Sequence, residues 1–296
     1  MNCHPWWIPE VMSQLCAHAL EANIEVEYVR RLILKRGLVP PGGQAEQDAW
    51  PYRLRIYTLG RFSVVIDGEA LRFTAKAQKK PLELLKAVIA LGGRGVAIGT
   101  LVQELWPDLE GDAAHNALHV ALHRLRRLLG DEDMVSVQES SLFVSPRLGW
   151  VDAWAFERVA GLTAELPADG DAGRVRCLAA RVQQLYSGHF LADESMPCAV
   201  LRRERLRSKF VRASSRLGSL LEARNDFADA RDIYQRALEM DPLAEEFHRG
   251  VMRCLKAQGR VPEALEAYRR CRQLLSVALG VQPSAETQAL YRVLAG

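Results

Sequence analysis

The sequence predicts a mainly α-helical protein in two parts, a mixed α+β region followed by an all-α array of paired helices. Three observations predict it. From residue 54 apolar and β-branched residues alternate, and from residue 81 they recur every three or four positions, as where a small sheet gives way to helices. The helical stretches end at a second short strand pair near residues 134–145. The final third of the chain then repeats itself at a spacing of 34 residues.

In chain order, residues 1–40 carry a helical pattern (Val11, Leu15, Ala19, then Val26, Val29, Leu32, Ile33) too small to close a core of its own. They read either as the end of a larger helical region or as an arm docking on the next domain. Pro40, Pro41, Gly42 and Gly43 open a polar linker over residues 41–52.

The stretch LRIYTLGRFSVVIDGEALRF reads as a small antiparallel sheet, its Asp67-Gly68 pair suited to a tight turn with positive φ. Pro81 lies in the first turn of a helix carrying Leu82, Leu84, Leu85, Val88, Ile89 and Leu91, which stops at Gly92-Gly93. Gly93-Arg94-Gly95 reads as an interhelical turn. A shorter helix with Leu101, Val102, Leu105 and Trp106 is closed by Pro107, and a third spans residues 112–129. MVSVQESSLFVS then makes two strands around Glu139-Ser140-Ser141. Sheet, three helices and hairpin succeed one another as in a winged helix, where the third helix is the one left free to enter a groove.

That third helix, DAAHNALHVALHRLRRLL, has an apolar stripe of Ala114, Leu118, Ala121, Leu122, Leu125, Leu128 and Leu129. At 100° per residue the opposite face carries Asn116, His119, Val120, His123 and Arg127, flanked by His115, Arg124 and Arg126. No carboxylate follows Asp112 within it. Such a face is either the solvated side of an amphipathic helix or a recognition surface, with side chains reaching base edges while flanking arginines meet phosphates. The winged-helix order favours recognition. His115, His119 and His123 also allow a metal site by spacing, but no third ligand of the usual kind lies near: no Glu follows His115, and no cysteine lies between Cys16 and Cys177.

Net charge is only +3, so composition alone does not point to nucleic acid; the cluster Arg124, Arg126 and Arg127 is the local signal. Six scattered cysteines without a C-x-x-C pair read as reduced thiols of a cytoplasmic protein. No leader pattern and no uncharged run of membrane-spanning length is seen, so a soluble protein without membrane contact is expected. The phosphate-loop pattern, the G-x-S-x-G elbow and H-E-x-x-H are all missing, which argues against an enzyme and against a cofactor.

On the segments KPLELLKAVIALGGRGV, LVQELWPDLEGDAAHNALHVALHRLRRLLG and GWVDAWAFERV, the chain resembles the OmpR/PhoB-type winged helix joined to a bacterial transcriptional activator domain, as in the Streptomyces antibiotic regulatory proteins. The resemblance covers about residues 53–294. It implies an OmpR/PhoB-type DNA-binding domain over 53–148, a tetratricopeptide-like activator domain over 150–296, and sequence-specific activation of transcription on double-stranded promoter DNA. It sets helix 112–129 in the major groove, and the outer face and flanks of that helix then offer Asn116, His119, Val120, His123, Arg124, Arg126 and Arg127 as the candidate contact set. The segment ALEANIEVEYVRRLILKRGLVPP resembles the linker-proximal end of the helical sensor of MalT-like ATPase regulators. Two departures stand out. Ser140 and Ser141 occupy the wing tip where relatives often carry Gly followed by Arg, and Pro197, Cys198 and Ala199 precede Arg203-Glu204-Arg205-Leu206 where relatives usually place a tryptophan.

Toward the C-terminus, Ala230, Tyr234 and Ala237 recur as Ala264, Tyr268 and Cys271, and Leu217 with Leu221 as Val251 with Leu255, the tetratricopeptide period. Asn225 and Gly259 mark the turns, and Pro242 closes the first repeat where Ser276 stands in the second. With helices near 153–166 and 173–186 and a last one from Ser284, this is a helical array. Its concave face could take a peptide, RNA polymerase or a second copy in a homodimer, or the array could serve only as a rigid support. The competing functional class is a repeat-protein adaptor whose winged helix no longer binds DNA.

Overall fold

Apolar spacing of three and four produces helices α1 (Pro9–Glu21) and α2 (Val26–Arg36) in this computed structural model, which describes residues 8–41, 49–72, 78–145 and 148–296. Proline sits in the first turn of α1, and Gly37 ends α2 in the left-handed region. The two bury Cys16, Ala17, Leu20, Val29 and Ile33. Residues 42–48 of the polar linker lie outside the described residues; Trp50 and Tyr52, at its far end, are buried.

The chain forms two units, residues 1–155 with 190–203, and residues 156–189 with 204–296. In the first, β1 (Leu54–Tyr57), β2 (Ser63–Ile66) and β3 (Glu69–Ala70) make the expected antiparallel sheet, with Asp67 and Gly68 both at positive φ between β2 and β3. A further strand, β7 (Gly149–Val151), lies parallel on the free edge of β1, with Ile56 opposite Val151. The sequence reading missed this edge because a parallel partner arrives only after a long crossover. At its end the Asp152 carboxylate is buried and accepts four hydrogen bonds: from the Thr58 N–H (2.7 Å) and hydroxyl (2.6 Å), the Leu59 N–H (2.8 Å) and the Ala153 N–H (2.7 Å). Burial pushes this carboxyl up to about 6, against the pull of those donors.

Helix α3 (Lys79–Ala90) buries Leu82, Leu84, Leu85, Val88 and Ile89. Gly93-Arg94-Gly95 is not the interhelical turn the sequence suggested: β4 (Arg94–Ala97) pairs antiparallel with the second strand of the wing. The glycines answer to two neighbours instead. A Cβ on Gly93 would lie 2.1 Å from the Trp154 ring, and one on Gly95 would lie 3.3 Å from Phe143. Helices α4 (Ile98–Leu105) and α5 (Gly111–Leu129) come next, then a 3-10 turn at Glu132–Met134 and the hairpin of β5 (Val135–Gln138) and β6 (Ser141–Val144). The second sheet runs β4-β6-β5.

The second unit is helical. Helices α6 (Asp152–Ala164) and α8 (Pro197–Glu222) begin in the first unit and end in this one, which adds α7 (Ala172–Leu185), α9 (Phe227–Met240), α10 (Glu245–Ala257), α11 (Val261–Leu279) and α12 (Ala285–Ala295). The 34-residue period holds down to backbone hydrogen bonds. Asp226 N–H donates to the Leu221 carbonyl at 3.0 Å, as Arg260 N–H does to the Leu255 carbonyl at 2.9 Å, around Asn225 and Gly259 at positive φ. Ala230, Tyr234, Ala237, Ala264, Tyr268 and Cys271 are all buried. Without a proline at position 276, α11 runs on to Leu279 and is capped by Gly280 in the left-handed region. Ser284 caps α12, its side chain accepting from the Thr287 N–H.

Tyr234 explains two glycines that the repeat pattern did not single out. A Cβ on Gly218 would come within 2.3 Å of its ring, and one on Gly250 within 2.5 Å. Its hydroxyl donates to Glu222 at 2.6 Å, and Glu222 also receives both arms of Arg253. The ring is therefore fixed on two sides and at its tip. Gly250→Ala gains about 1 kcal/mol of helix propensity but overpacks a core by about 1 to 3 kcal/mol or more. Because the ring cannot give way, a net loss toward the upper end of the difference, up to about 2 kcal/mol, is expected in chemical denaturation. Gly161→Ala, in α6, meets open space and should stabilise instead; equal shifts for the two would remove the packing account.

Candidate nucleic-acid interface

Helix α5 follows Glu110, whose backbone is extended, carries Asp112 in its first turn where the helix dipole favours a carboxylate, and is ended by Gly130 with φ 74°. Its apolar stripe behaves as the periodicity demands. Ala114, Leu118, Ala121, Leu122, Leu125 and Leu129 are buried, Leu128 is half-buried, and the helix packs on α3 and α4. The opposite ridge stands in solvent: Asn116, His119, Val120, His123, Arg124 and Arg127 are all exposed. Val120 is half accessible, at 50%, on an otherwise polar ridge.

Arg126 behaves differently. It is half-buried, and its Nε donates to the Val135 carbonyl at 2.9 Å, joining the last turns of α5 to the first strand of the wing. Spacing along a helix places Arg126 on a flank but says nothing about which strand lies beside that flank. His115 stays exposed, with its Nδ1 3.1 Å from the Gly111 carbonyl oxygen one turn back on the same helix. Among the described residues no group of three or more His, Cys, Asp or Glu side chains is placed to hold a metal ion.

The wing turn is one residue earlier than the sequence suggested. Glu139 (φ 46°) and Ser140 (φ 61°) occupy it, and Ser141 opens β6 opposite Gln138. Two successive positive φ angles match the tight hairpin turn whose twist suits antiparallel strands. Behind the wing, Arg53 links Asp67 (3.2 Å) to Asp131 (2.7 Å), tying the N-terminal sheet to the residue that follows α5 and Gly130. The group sequence reasoning missed is Asp152. Its signal was a lone carboxylate directly after the apolar strand Gly-Trp-Val and at the start of a helix.

Sheet, three helices and wing in one unit, followed by paired helices of period 34, define a winged helix joined to a helical array. The family described as bacterial transcriptional activator domain matches residues 151–294. The regulatory protein AfsR of Streptomyces coelicolor is 30% identical over 257 residues, covering 84% of this chain and 25% of that protein. The transcriptional regulator RedD of the same organism is 33% identical over 217 residues, 68% of this chain and 60% of that one. The chain thus spans about a quarter of AfsR and three fifths of RedD. A structure of Mycobacterium tuberculosis EmbR, solved with a low-affinity phosphopeptide, shares the fold with a TM-score of 0.62 at 20% identity, over 82% of this chain and 65% of that one. Over residues 151–294 the chain matches the bacterial transcriptional activator domain, and over most of its length it is similar to the Streptomyces regulators AfsR and RedD. No helix among the described residues is long and apolar enough to cross a membrane.

Proposed function

We propose that this protein is a sequence-specific, DNA-binding activator of transcription, with α5 in the major groove of promoter DNA. The observation that carries the reading is the ridge of α5. One face is committed to the core, while Asn116, His119, Val120, His123 and Arg127 stand clear of it beside a wing. Amide and imidazole groups on successive turns of such a ridge can reach base edges, and Arg124 on its flank can reach a phosphate. Arg126 contacts phosphate only with the guanidinium nitrogens other than Nε, because Nε holds the wing. The names of AfsR and RedD, a regulatory protein and a transcriptional regulator, agree with this class. In this reading the helical array presents its concave face to RNA polymerase or to a second copy of the chain.

The test is fluorescence anisotropy on a duplex selected by the protein from random sequence and on a scrambled duplex, across a salt series. Asn116→Ala and His123→Ala should each cost roughly 1 to 3 kcal/mol on the selected duplex and little on the scrambled one. Arg124→Ala should weaken both and lower the salt slope by about one. Equal losses on both duplexes for all three variants would sink base reading by this helix. No loss for any of them would return the protein to the adaptor class.

A further inference from the structure

A groove of about 530 Å³ runs between α6 and α8, lined by residues of the second unit alone. Its floor is made of small residues, Ala160, Gly161 and Ala164 from α6 and Ala213 from α8, and its rim carries Arg212 and Arg216. Lys209 pairs with Glu157 across it. Gly161 is exposed, and a Cβ there would meet nothing within 4 Å, so the floor is open at that point. Along α8, Arg205, Lys209, Arg212 and Arg216 fall within about 60° of one another at 100° per residue, a basic stripe on one helix face. Glu157 neutralises Lys209, which leaves the positive excess on Arg205, Arg212 and Arg216. Arg216 reaches the Leu166 carbonyl at 2.9 Å, a contact that leaves its charge in place.

We propose that this groove receives an acidic amphipathic segment of a partner protein. The segment lays its apolar side chains on the alanines and directs its carboxylates toward Arg212 and Arg216. The volume is in the range of ligand clefts, and a floor without large side chains lets a second backbone approach closely, as in the docking of an amphipathic helix. A phosphodiester backbone has no use for an apolar floor, and on the α6 side it would meet the carboxylate of Glu157. The basic rim supplies charge complementarity to Asp and Glu and makes the encounter salt-sensitive. This site is independent of the DNA reading, since none of its residues belongs to the winged-helix unit.

The test uses the full chain and a fluorescein-labelled amphipathic peptide of Asp, Glu and Leu, with a counterpart in which Lys replaces the acidic residues. Anisotropy should show binding of the acidic peptide that weakens as salt rises, and no binding of the basic one. Arg212→Glu should weaken it about tenfold, by loss of one rim attraction and gain of a repulsion. Gly161→Leu fills the open floor and should weaken it at least as much, while melting no lower than wild type because a helical glycine has been replaced. If Gly161→Leu fails to fold, the surface variant Arg212→Glu still decides the matter. Failure of the wild type to bind the acidic peptide at low salt overturns the proposal, as does binding that ignores both variants. So does competition by a random DNA duplex with loss in Arg212→Glu and none in Gly161→Leu, which would make the stripe a nucleic-acid surface.

Discussion

Ala264→Glu is expected to abolish the cooperative melt of the helical unit. Ala264 is fully buried on the face of α11 that also buries Tyr268, Cys271 and Leu275, and α11 packs on α10. A glutamate there either carries an unpaired charge into a packed helix pair or forces the pair apart. An unpaired buried charge costs about 3 to 5 kcal/mol, a large part of the stability of an ordinary domain. Repeats of this kind bury their apolar faces only against neighbours, so the loss propagates along the array. The measurement is helical ellipticity against temperature. Ala267→Glu, three residues further along the same helix and in a surface groove, is the control that should melt near wild type. An unchanged melt for Ala264→Glu would show that α10 and α11 are not packed through this residue.

The second large effect is expected at Asp152. In Asp152→Ala the N–H groups of Thr58 and Leu59, the Thr58 hydroxyl and the Ala153 N–H lose their acceptor, and the two backbone donors of Thr58 and Leu59 lie where the Asp152 carboxylate had shielded them from water. Each buried donor left unpaired costs about 1 to 3 kcal/mol, so a loss of about 3 to 4 kcal/mol at pH 7 is expected once partial relaxation is allowed. Asp152→Asn keeps one acceptor oxygen and should lose about half as much. The pH dependence separates the variants further. The folded carboxyl titrates near 6 and an unfolded aspartate near 4, so the fold favours the protonated side chain. That contribution is fully present below pH 4 and is lost as pH rises through 6. The gap between wild type and Asp152→Asn should therefore narrow from pH 4 to pH 7 in denaturant titrations, and a widening gap would contradict the assignment.

What could be read from the sequence divides along the range of the forces involved. The stripe of α5, the hairpin turn at Asp67-Gly68, the helix stop after Ala90 and the 34-residue period all depend on residues a few positions apart, and all appear in the structure. The misses are non-local. Strand β7 reaches β1 from more than ninety residues away (149 against 54), and Gly93 needs its missing side chain because Trp154 lies on it. Gly218 and Gly250 likewise make sense only around a tyrosine on a third helix. At the candidate interface, the exposed ridge from Asn116 to Arg127 was readable from angular spacing. The attachment of Arg126 to the wing was not, because a helical wheel carries no information about the strand beside it.

The first unit takes in residues 190–203 as well as the stretch that ends at residue 155. Those fourteen residues make bonds that the winged helix lacks without them. Leu191 N–H donates to the Thr58 carbonyl at 2.8 Å, Cys198 N–H donates to Glu104 at 2.7 Å, Glu194 pairs with Lys86, and Arg203 gathers the carbonyls of Phe190, Leu191 and Glu194. Recombination between such regulators is consequently constrained. A crossover placed at the apparent seam near residue 150 would separate the winged helix from its own supporting strap. An exchange that keeps the winged helix whole has to carry residues 190–203 with it, and therefore the start of α8.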